Sequence, residues 1–390
     1  MTCRYATRMG KTPRSFIREI LKVTESPEII SFAGGLPNPA LISVKDIAEA
    51  ARSVFESGGV AALQYATTEG YLPLREFIAD RYRQRLGLDV GPDEVLITSG
   101  SQQALDLIGK VFLDAGDVVA IERPGYLGAI QAFSLYEPCF CPVPLEEDGP
   151  ALSALERTLE ERDVRLFYGV PNSQNPSGIT WSREKRECVA SLLDGTDTVF
   201  VEDDAYGELR FSGRSLSPVK KYLPDSTVLT GSFSKIVAPG LRMGWICAKP
   251  ETLDRLVVAK QASDLHSSTF AQRVLARYLQ DTDIDAHVRE ICRVYDRHCT
   301  LMASLIDDLF PDGVTRTEPD GGMFLWVTLP PGLSSMALFE RALAERVAVL
   351  PGLPFYVDGG GENTVRLNFS NADEDGITEG MHRLARALRA

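Results

Sequence analysis

Between residues 94 and 249 the chain alternates between short apolar runs and longer amphipathic stretches. Seven runs stand out: "EVLITSG", "VVAIERP", "PCFCPVP", "VRLFYGV", "DTVFVEDD", "STVLTGS" and "MGWICAK". Several are almost entirely apolar, as expected of strands covered on both faces. Helical segments separate them, so the pattern predicts an α/β fold: a mainly parallel seven-stranded sheet flanked by helices, in a large domain over residues 45–285. A long helical stretch comes next, from about Ile284 to Leu309. The remainder, with "GGMFLWVTLP", "VAVLPG" and "TVRLNFS" before a closing helix, predicts a smaller α+β domain over residues 286–390. Residues 1–44 read as an arm. In it, "PRSFIREILKV" reads as a short helix, which would carry Phe16, Ile17, Ile20 and Leu21 on one face and Ser15, Arg18 and Lys22 on the other. "FAGGLPNPALI" reads as a turn-rich crossing.

Composition narrows the function. The chain has 390 residues, 44% of them hydrophobic and 24% charged, as in a soluble globular protein. Its formal charge of −13, from 41 basic and 54 acidic residues, argues against a surface that coats nucleic acid. No apolar run approaches the roughly 20 residues that a membrane helix needs. The seven cysteines form no CxxC pair, which suits a reduced, cytoplasmic setting. Cys139 and Cys141 alternate with Phe140 in one run and are expected to point the same way. His266, His287, His298 and His382 make no metal-ligand spacing.

In open α/β sheets, ligands bind beyond the carboxyl ends of the strands. The residues just past each run are therefore informative. Gly100, Ser101 and Gln102 open a helix whose free N–H groups make an anion site. Tyr126 comes after a glycine beyond the second run. Asn172 and Asn175 lie in the polar turn "PNSQNPSG". Glu202, Asp203, Asp204 and Tyr206 end another run. "TGSFSKIVAPGLRMGW" brings Ser232, Ser234, Lys235 and Arg242 into one stretch. An anion cradle, an aromatic ring, an amide, carboxylates and a lysine suit one ligand, a planar phosphorylated pyridine aldehyde. The lysine would form a Schiff base with it, and a carboxylate would keep its ring nitrogen protonated.

With "SGSQQALDL", "ERPGY", "PNSQNPSG", "EDDAYGEL", "SFSKIVAPGLRMGW" and "VRLNFS" in that order, the chain resembles the fold type I, pyridoxal-5'-phosphate-dependent aminotransferases over nearly its whole length. The resemblance implies a homodimer with shared active sites that exchanges an amino group between an amino acid and a 2-oxo acid. It makes Lys235 the Schiff-base lysine and Asp203, three residues before Tyr206, the pyridinium partner. It assigns phosphate contacts to Gly100, Ser101, Gln102, Ser232 and Arg242, with Ser234 unplaced. Tyr206 and Asn175 would meet the phenolic oxygen, Tyr126 would stack on the ring, and Arg366 would take the substrate α-carboxylate. Tyr65 matches a phosphate-binding tyrosine donated by the other subunit. "SFIREILKVTESPEIISFAGGLPNP" resembles the arm of the α-aminoadipate/kynurenine aminotransferase subgroup. That likeness implies that Ser15 and Arg18 meet the substrate side chain and that Gly34 and Gly35 allow a close backbone approach.

Three other readings compete. A lyase, decarboxylase or cyclase could use the same fold, because fold does not fix reaction. "SFSK" satisfies the S-x-x-K pattern of serine acyl enzymes, with Ser232 as nucleophile, but the chain has no S-D-N or K-T-G partner motif. The aminotransferase-like half of a transcription regulator would carry a helix-turn-helix segment, which this sequence does not show. The amino donor stays open among 2-aminoadipate or glutamate, aromatic and branched aliphatic amino acids, with 2-oxoglutarate as the expected acceptor.

Overall fold

A computed structural model describes residues 5–11, 26 and 28–389 of the chain. Among the described residues, fourteen strands fall into three sheets. Strand β1 (Ile30–Ser31) belongs to the N-terminal crossing. The main sheet contains β2 (Val95–Thr98), β3 (Val118–Arg123), β4 (Cys139–Glu146), β5 (Gly149–Pro150), β6 (Val164–Gly169), β7 (Val199–Asp204), β8 (Thr227–Ser232) and β9 (Gly244–Cys247). Its order is β2-β9-β8-β7-β6-β3-β4-β5. The pairs β3–β4, β3–β6, β6–β7 and β7–β8 are parallel, whereas β9 runs antiparallel to both β2 and β8.

All seven runs singled out in the sequence form strands of this sheet. The eighth, β5, is a two-residue strand turned back antiparallel on β4. It is too short to carry an alternation or an apolar run, so the sequence pattern does not register it. The central strands are apolar because helices cover both faces. Every residue of β2, β8 and β9 is buried. Cys139 is exposed and Cys141 partly buried, and the cysteines among the described residues are free.

The second sheet is antiparallel, in the order β10 (Thr315–Arg316), β11 (Phe324–Thr328), β14 (Thr364–Asn368), β13 (Leu350–Pro351). The helix Ile284–Leu309 leads to it, with Asp283 Oδ1 accepting the Ala286 N–H as its N-cap. The closing helix Glu374–Arg389 packs against that long helix. The third sheet is the two-residue parallel pairing of β1 with β12 (Val347–Ala348).

The crossing after β1 is irregular, as the turn-rich sequence requires, and its backbone groups are taken by the C-terminal part of the chain. Phe32 N donates to Ala348 O at 2.8 Å and Asn368 N donates to Phe32 O at 2.9 Å. Ser370 Oγ donates to Leu36 O at 2.8 Å, and Asn38 N donates to Tyr295 Oη at 3.0 Å. Ser15 and Arg18 lie outside the described residues. No helix among the described residues is long and apolar enough to cross a membrane.

One packing constraint in the main sheet is testable. Gly231 pairs with Trp245 across β8 and β9, and a Cβ on Gly231 would fall 2.2 Å from the indole. The indole cannot simply swing aside, because it is buried and donates to Tyr82 Oη at 2.8 Å. Gly231→Ala is expected to destabilise the fold by about 1–3 kcal/mol through overpacking. Gly240→Ala, where no atom lies within 4 Å, should stay within about 0.5 kcal/mol of the parent in the same denaturation experiment.

Candidate active site

The carboxyl ends of β2, β6, β7 and β8 converge, with β14 of the second sheet, on a cavity of about 240 Å³. Gly35, Ser101, Gln102, Tyr126, Asn175, Asp203, Tyr206, Ser232, Ser234, Lys235, Arg242 and Arg366 line it, with Val170, Ala205 and Pro239. Residues that the sequence placed at separate strand ends thus meet in one space. Gly100 forms the turn behind Ser101 rather than the wall itself. Tyr65 does not line this cavity; it is 78% exposed, with its ring edge-on to His266.

Alternation along β7 sorts the three carboxylates at its end. Asp203 faces the cavity and accepts from Tyr168 Oη at 2.7 Å and Thr230 Oγ1 at 3.1 Å. Glu202 points elsewhere, to the backbone N–H groups of Val219 and Lys220 at 2.9 and 3.0 Å. Asp204 accepts from Asn172 Nδ2 at 2.7 Å, which draws Asn172 out of the cavity lining. Burial raises the Asp203 carboxyl to about 6, while its two hydroxyl donors hold it down. At neutral pH it is therefore largely ionised.

Lys235 lies three residues past β8, and its Nζ donates to Gly35 O at 2.7 Å. Burial, then the charges of Arg366 and Arg242, lower its ammonium to about 8. No hydrogen bond joins it to Ser232, whose Oγ accepts the Ser234 N–H at 3.1 Å and lies 3.5 Å from Met243 O. The serine–lysine dyad of an acyl enzyme is therefore not assembled.

Arg242 caps the one-turn helix Pro239–Leu241 in a left-handed conformation, φ +54° and ψ +46°. Such a position costs a side-chain-bearing residue roughly 1–2 kcal/mol. It turns the guanidinium back onto Gly100, where any Cβ would lie 2.5 Å from Nη2. Gly100 itself has φ +80°, so glycine is required there for two reasons. The helix Ser101–Phe112 starts at this turn. Its Gln103 and Ala104 N–H groups bend back to Gly100 O, at 3.2 and 3.4 Å. The Ser101 and Gln102 N–H groups are left for a ligand.

Arg366, in β14, is 1% exposed and forms no salt bridge among the described residues. Its Nη1 donates to Asn175 Oδ1 at 2.8 Å and its Nη2 to Ala33 O at 2.6 Å, and its Nε has no partner among the described residues. The guanidinium lies 4.2 Å from the Phe324 ring centre. Burial lowers its pKa to about 10. Tyr206 Oη is 3.5 Å from Asn175 Nδ2, and burial pushes the Tyr126 phenol to about 12.

Several site residues escaped the sequence reading. Tyr168 and Thr230 hold Asp203; Thr230 sits opposite Asp203 in register, the only signal that could have exposed it. Glu122 is fully buried and accepts from Trp181 Nε1 at 2.9 Å, Val170 N at 3.1 Å and Gln174 Nε2 at 3.3 Å. Burial raises it to about 8 against those three donors. It fastens the turn bearing Tyr126 to the loop bearing Asn175, because Gln174 Nε2 also donates to Pro124 O at 2.8 Å.

Residues 29–384 match the family of class I and II aminotransferases. The chain belongs to that family. It is 45% identical over 384 residues to the 2-aminoadipate transaminase of Thermus thermophilus, covering 97% of this chain and 95% of that one. It is 41% identical over 381 residues to aromatic-amino-acid aminotransferase 1 of Thermococcus litoralis, covering 96% and 91%. The crystal structure of the Thermus thermophilus α-aminoadipate aminotransferase, complexed with N-(5'-phosphopyridoxyl)-L-leucine, superposes with a TM-score of 0.93 at 44% identity, over 99% of this chain and 97% of that one. The aminotransferase has the type I fold, uses pyridoxal 5'-phosphate and catalyses transamination.

The donor set suits that cofactor. Two unclaimed helix N–H groups, two serines and an arginine gather around a glycine turn that a Cβ would fill. An ionised aspartate and a lysine of lowered pKa face the same cavity. Capture of the aldehyde requires the neutral amine. In the cofactor-free protein, the capture rate should rise about tenfold per pH unit below about 8, then level off, when measured by stopped-flow absorbance. A rate still climbing at pH 10 would mean that Lys235 titrates as an ordinary exposed lysine.

Proposed function

We propose that the enzyme transfers the amino group of an L-amino acid to a 2-oxo acid, 2-oxoglutarate foremost, at the cavity around Lys235. The observation that carries this reading is the shared cavity of three groups: a lysine lowered to about 8, a buried ionised Asp203 and a buried Arg366 with no ion pair among the described residues. When bound, the cofactor supplies an aldehyde for the amino group and an electron-accepting ring. Ser101 and Gln102 N–H, Ser232, Ser234 and Arg242 would hold its phosphate. Asp203 would meet the ring nitrogen and favour its protonated form. Tyr126 would stack on the ring, and Asn175 with Tyr206 would meet its phenolic oxygen.

Arg366 takes the α-carboxylate as a bidentate pair. Its unpartnered Nε and its apolar surroundings favour an anion there, at the expense of the Ala33 and Asn175 contacts. Lys235 Nζ, once released, takes the proton from the substrate Cα; its lowered pKa leaves an appreciable neutral fraction near pH 7–8. Gly35 O holds the ammonium while the proton is on Nζ. The apolar walls from Val170, Ala205 and Pro239 keep water from the reacting carbon.

The substrate class is inferred from likeness and from the arm. Relatives named for 2-aminoadipate and for aromatic amino acids support a donor of either kind, with branched aliphatic amino acids as further candidates. Ser15 and Arg18 would meet the side chain. Exposed Tyr65 would reach the phosphate of a second subunit, making a homodimer with shared sites. The large unit spans 45–285 and the small unit 286–390, each built on its own sheet. Free cysteines and the absence of an apolar spanning helix among the described residues favour the cytoplasm.

Lys235→Ala should abolish borohydride fixation of the cofactor to the protein and lower turnover by about 10²–10⁴ or more. Normal turnover in that variant would sink the assignment. The donor is found by mixing cofactor-loaded enzyme with single amino acids and identifying the 2-oxo acid by mass spectrometry. Arg18→Ala should depress 2-aminoadipate and glutamate at least about tenfold more than leucine, the scale of one charge-assisted contact. Equal losses across the three would place Arg18 away from the side chain.

A further inference from the structure

The turn that presents the Ser101 and Gln102 N–H groups needs something to hold it, since Gly100 has neither a side chain nor an ordinary φ. Part of the support is local: Thr98 Oγ1 donates to Gly100 O at 3.0 Å. The rest comes from a distant helix, Pro250–Ser263, and the loop after it. Lys260 has a side chain with 0% exposure, and its Nζ donates to Gln103 Oε1 and Asp264 Oδ1, both at 2.8 Å. Ser267 Oγ lies 3.0 Å from the same Nζ.

Those acceptors grip the turn directly. Gln103 Oε1 also accepts the Ser99 N–H at 2.8 Å, while Gln103 Nε2 donates to Asp264 Oδ2 at 2.7 Å. Ser99 Oγ lies 3.2 Å from Asp264 Oδ2 and 3.1 Å from Ser267 Oγ. One ammonium therefore fixes Gln103 and Asp264, and these two fix both polar groups of Ser99, next to Gly100. Lys260 itself does not line the cavity.

A plain helix-end ion pair does not account for this. Exposed i,i+4 pairs contribute little and need no burial. Burying an ammonium carries a desolvation cost that a methionine of similar size would spare. The three-way hold on Gln103, Asp264 and Ser267 is what the charge provides in return.

We infer that Lys260, acting through Gln103 and Asp264, is a positioning residue that holds the Ser99–Gln102 turn in its anion-binding shape. The inference rests on the phosphate role proposed for this turn. It predicts a defect confined to the phosphate of the ligand. Pyridoxamine 5'-phosphate and pyridoxamine lack the aldehyde, so both report non-covalent binding, and they differ in the phosphate alone.

Calorimetric titration of the cofactor-free full chain with both compounds separates the possibilities. Lys260→Met should weaken pyridoxamine 5'-phosphate about 10-fold while changing pyridoxamine less than about twofold. Ser99→Ala leaves no buried charge unpaired and so keeps the test open should Lys260→Met fold poorly. It should weaken the phosphate-bearing ligand alone, by about threefold. Arg242→Ala serves as the reference for direct phosphate contact. If the parent protein binds both compounds alike, the anion role of the turn falls. If Arg242→Ala removes the phosphate preference but Lys260→Met and Ser99→Ala keep it, the positioning role is overturned. Equal weakening of both ligands by Lys260→Met also overturns it, because it would mark a residue that stabilises the fold only.

Discussion

The aminotransferase is organised around a guanidinium that has no counter-ion among the described residues. Arg366 is buried to 1% exposure, and the cost of desolvating it amounts to several kcal/mol. What offsets that cost also assembles the site. One N–H group holds the crossing through Ala33, another holds the "PNSQNPSG" loop through Asn175, and the centres of two aromatic rings, Phe324 and Phe355, lie 4.2 and 5.6 Å from the guanidinium carbon. Three separate parts of the chain are thereby brought to one charge. The same charge, after burial and together with Arg242, lowers the Lys235 ammonium.

The large sheet was legible because most of its strands are largely buried and so stand out as apolar runs. Strand β5 was not, being two residues of glycine and proline. The catalytic candidates were legible for a related reason. A parallel sheet puts its chemistry at and just past the strand ends: Asp203 is the penultimate residue of β7, and Lys235, Asn175 and Tyr126 lie beyond β8, β6 and β3. The supports behind them were hidden. Lys260 and Gln103 are 157 residues apart, and Glu122 and Trp181 are 59 apart. Each looks like an ordinary residue of its own segment, and only the tertiary fold makes them partners.

Strand alternation did more than separate inside from outside. At the end of β7 it divided three consecutive acids, sending Asp203 to the cavity and its neighbours to Arg186's side of the sheet, where both feel that cation. Asp203 is thus kept from sharing its space with a second carboxylate, which would have raised its pKa further. A one-residue slip in β7 would place a different acid in the cavity and lose the Tyr168 and Thr230 hydroxyls that keep Asp203 ionised.

The stitching of the crossing to the end of the chain bears on how the protein is made. Ile30 and Ser31 pair with Val347 and Ala348, and Phe32, Ala33 and Leu36 bond to residues beyond 345. At about 5–20 residues per second, a ribosome delivers those partners roughly 15–60 s after the crossing itself. Through that interval the main sheet can form while its ligand crevice stays uncovered. The mouth of the site is therefore completed after the sheet beneath it, although its residues are synthesised before that sheet.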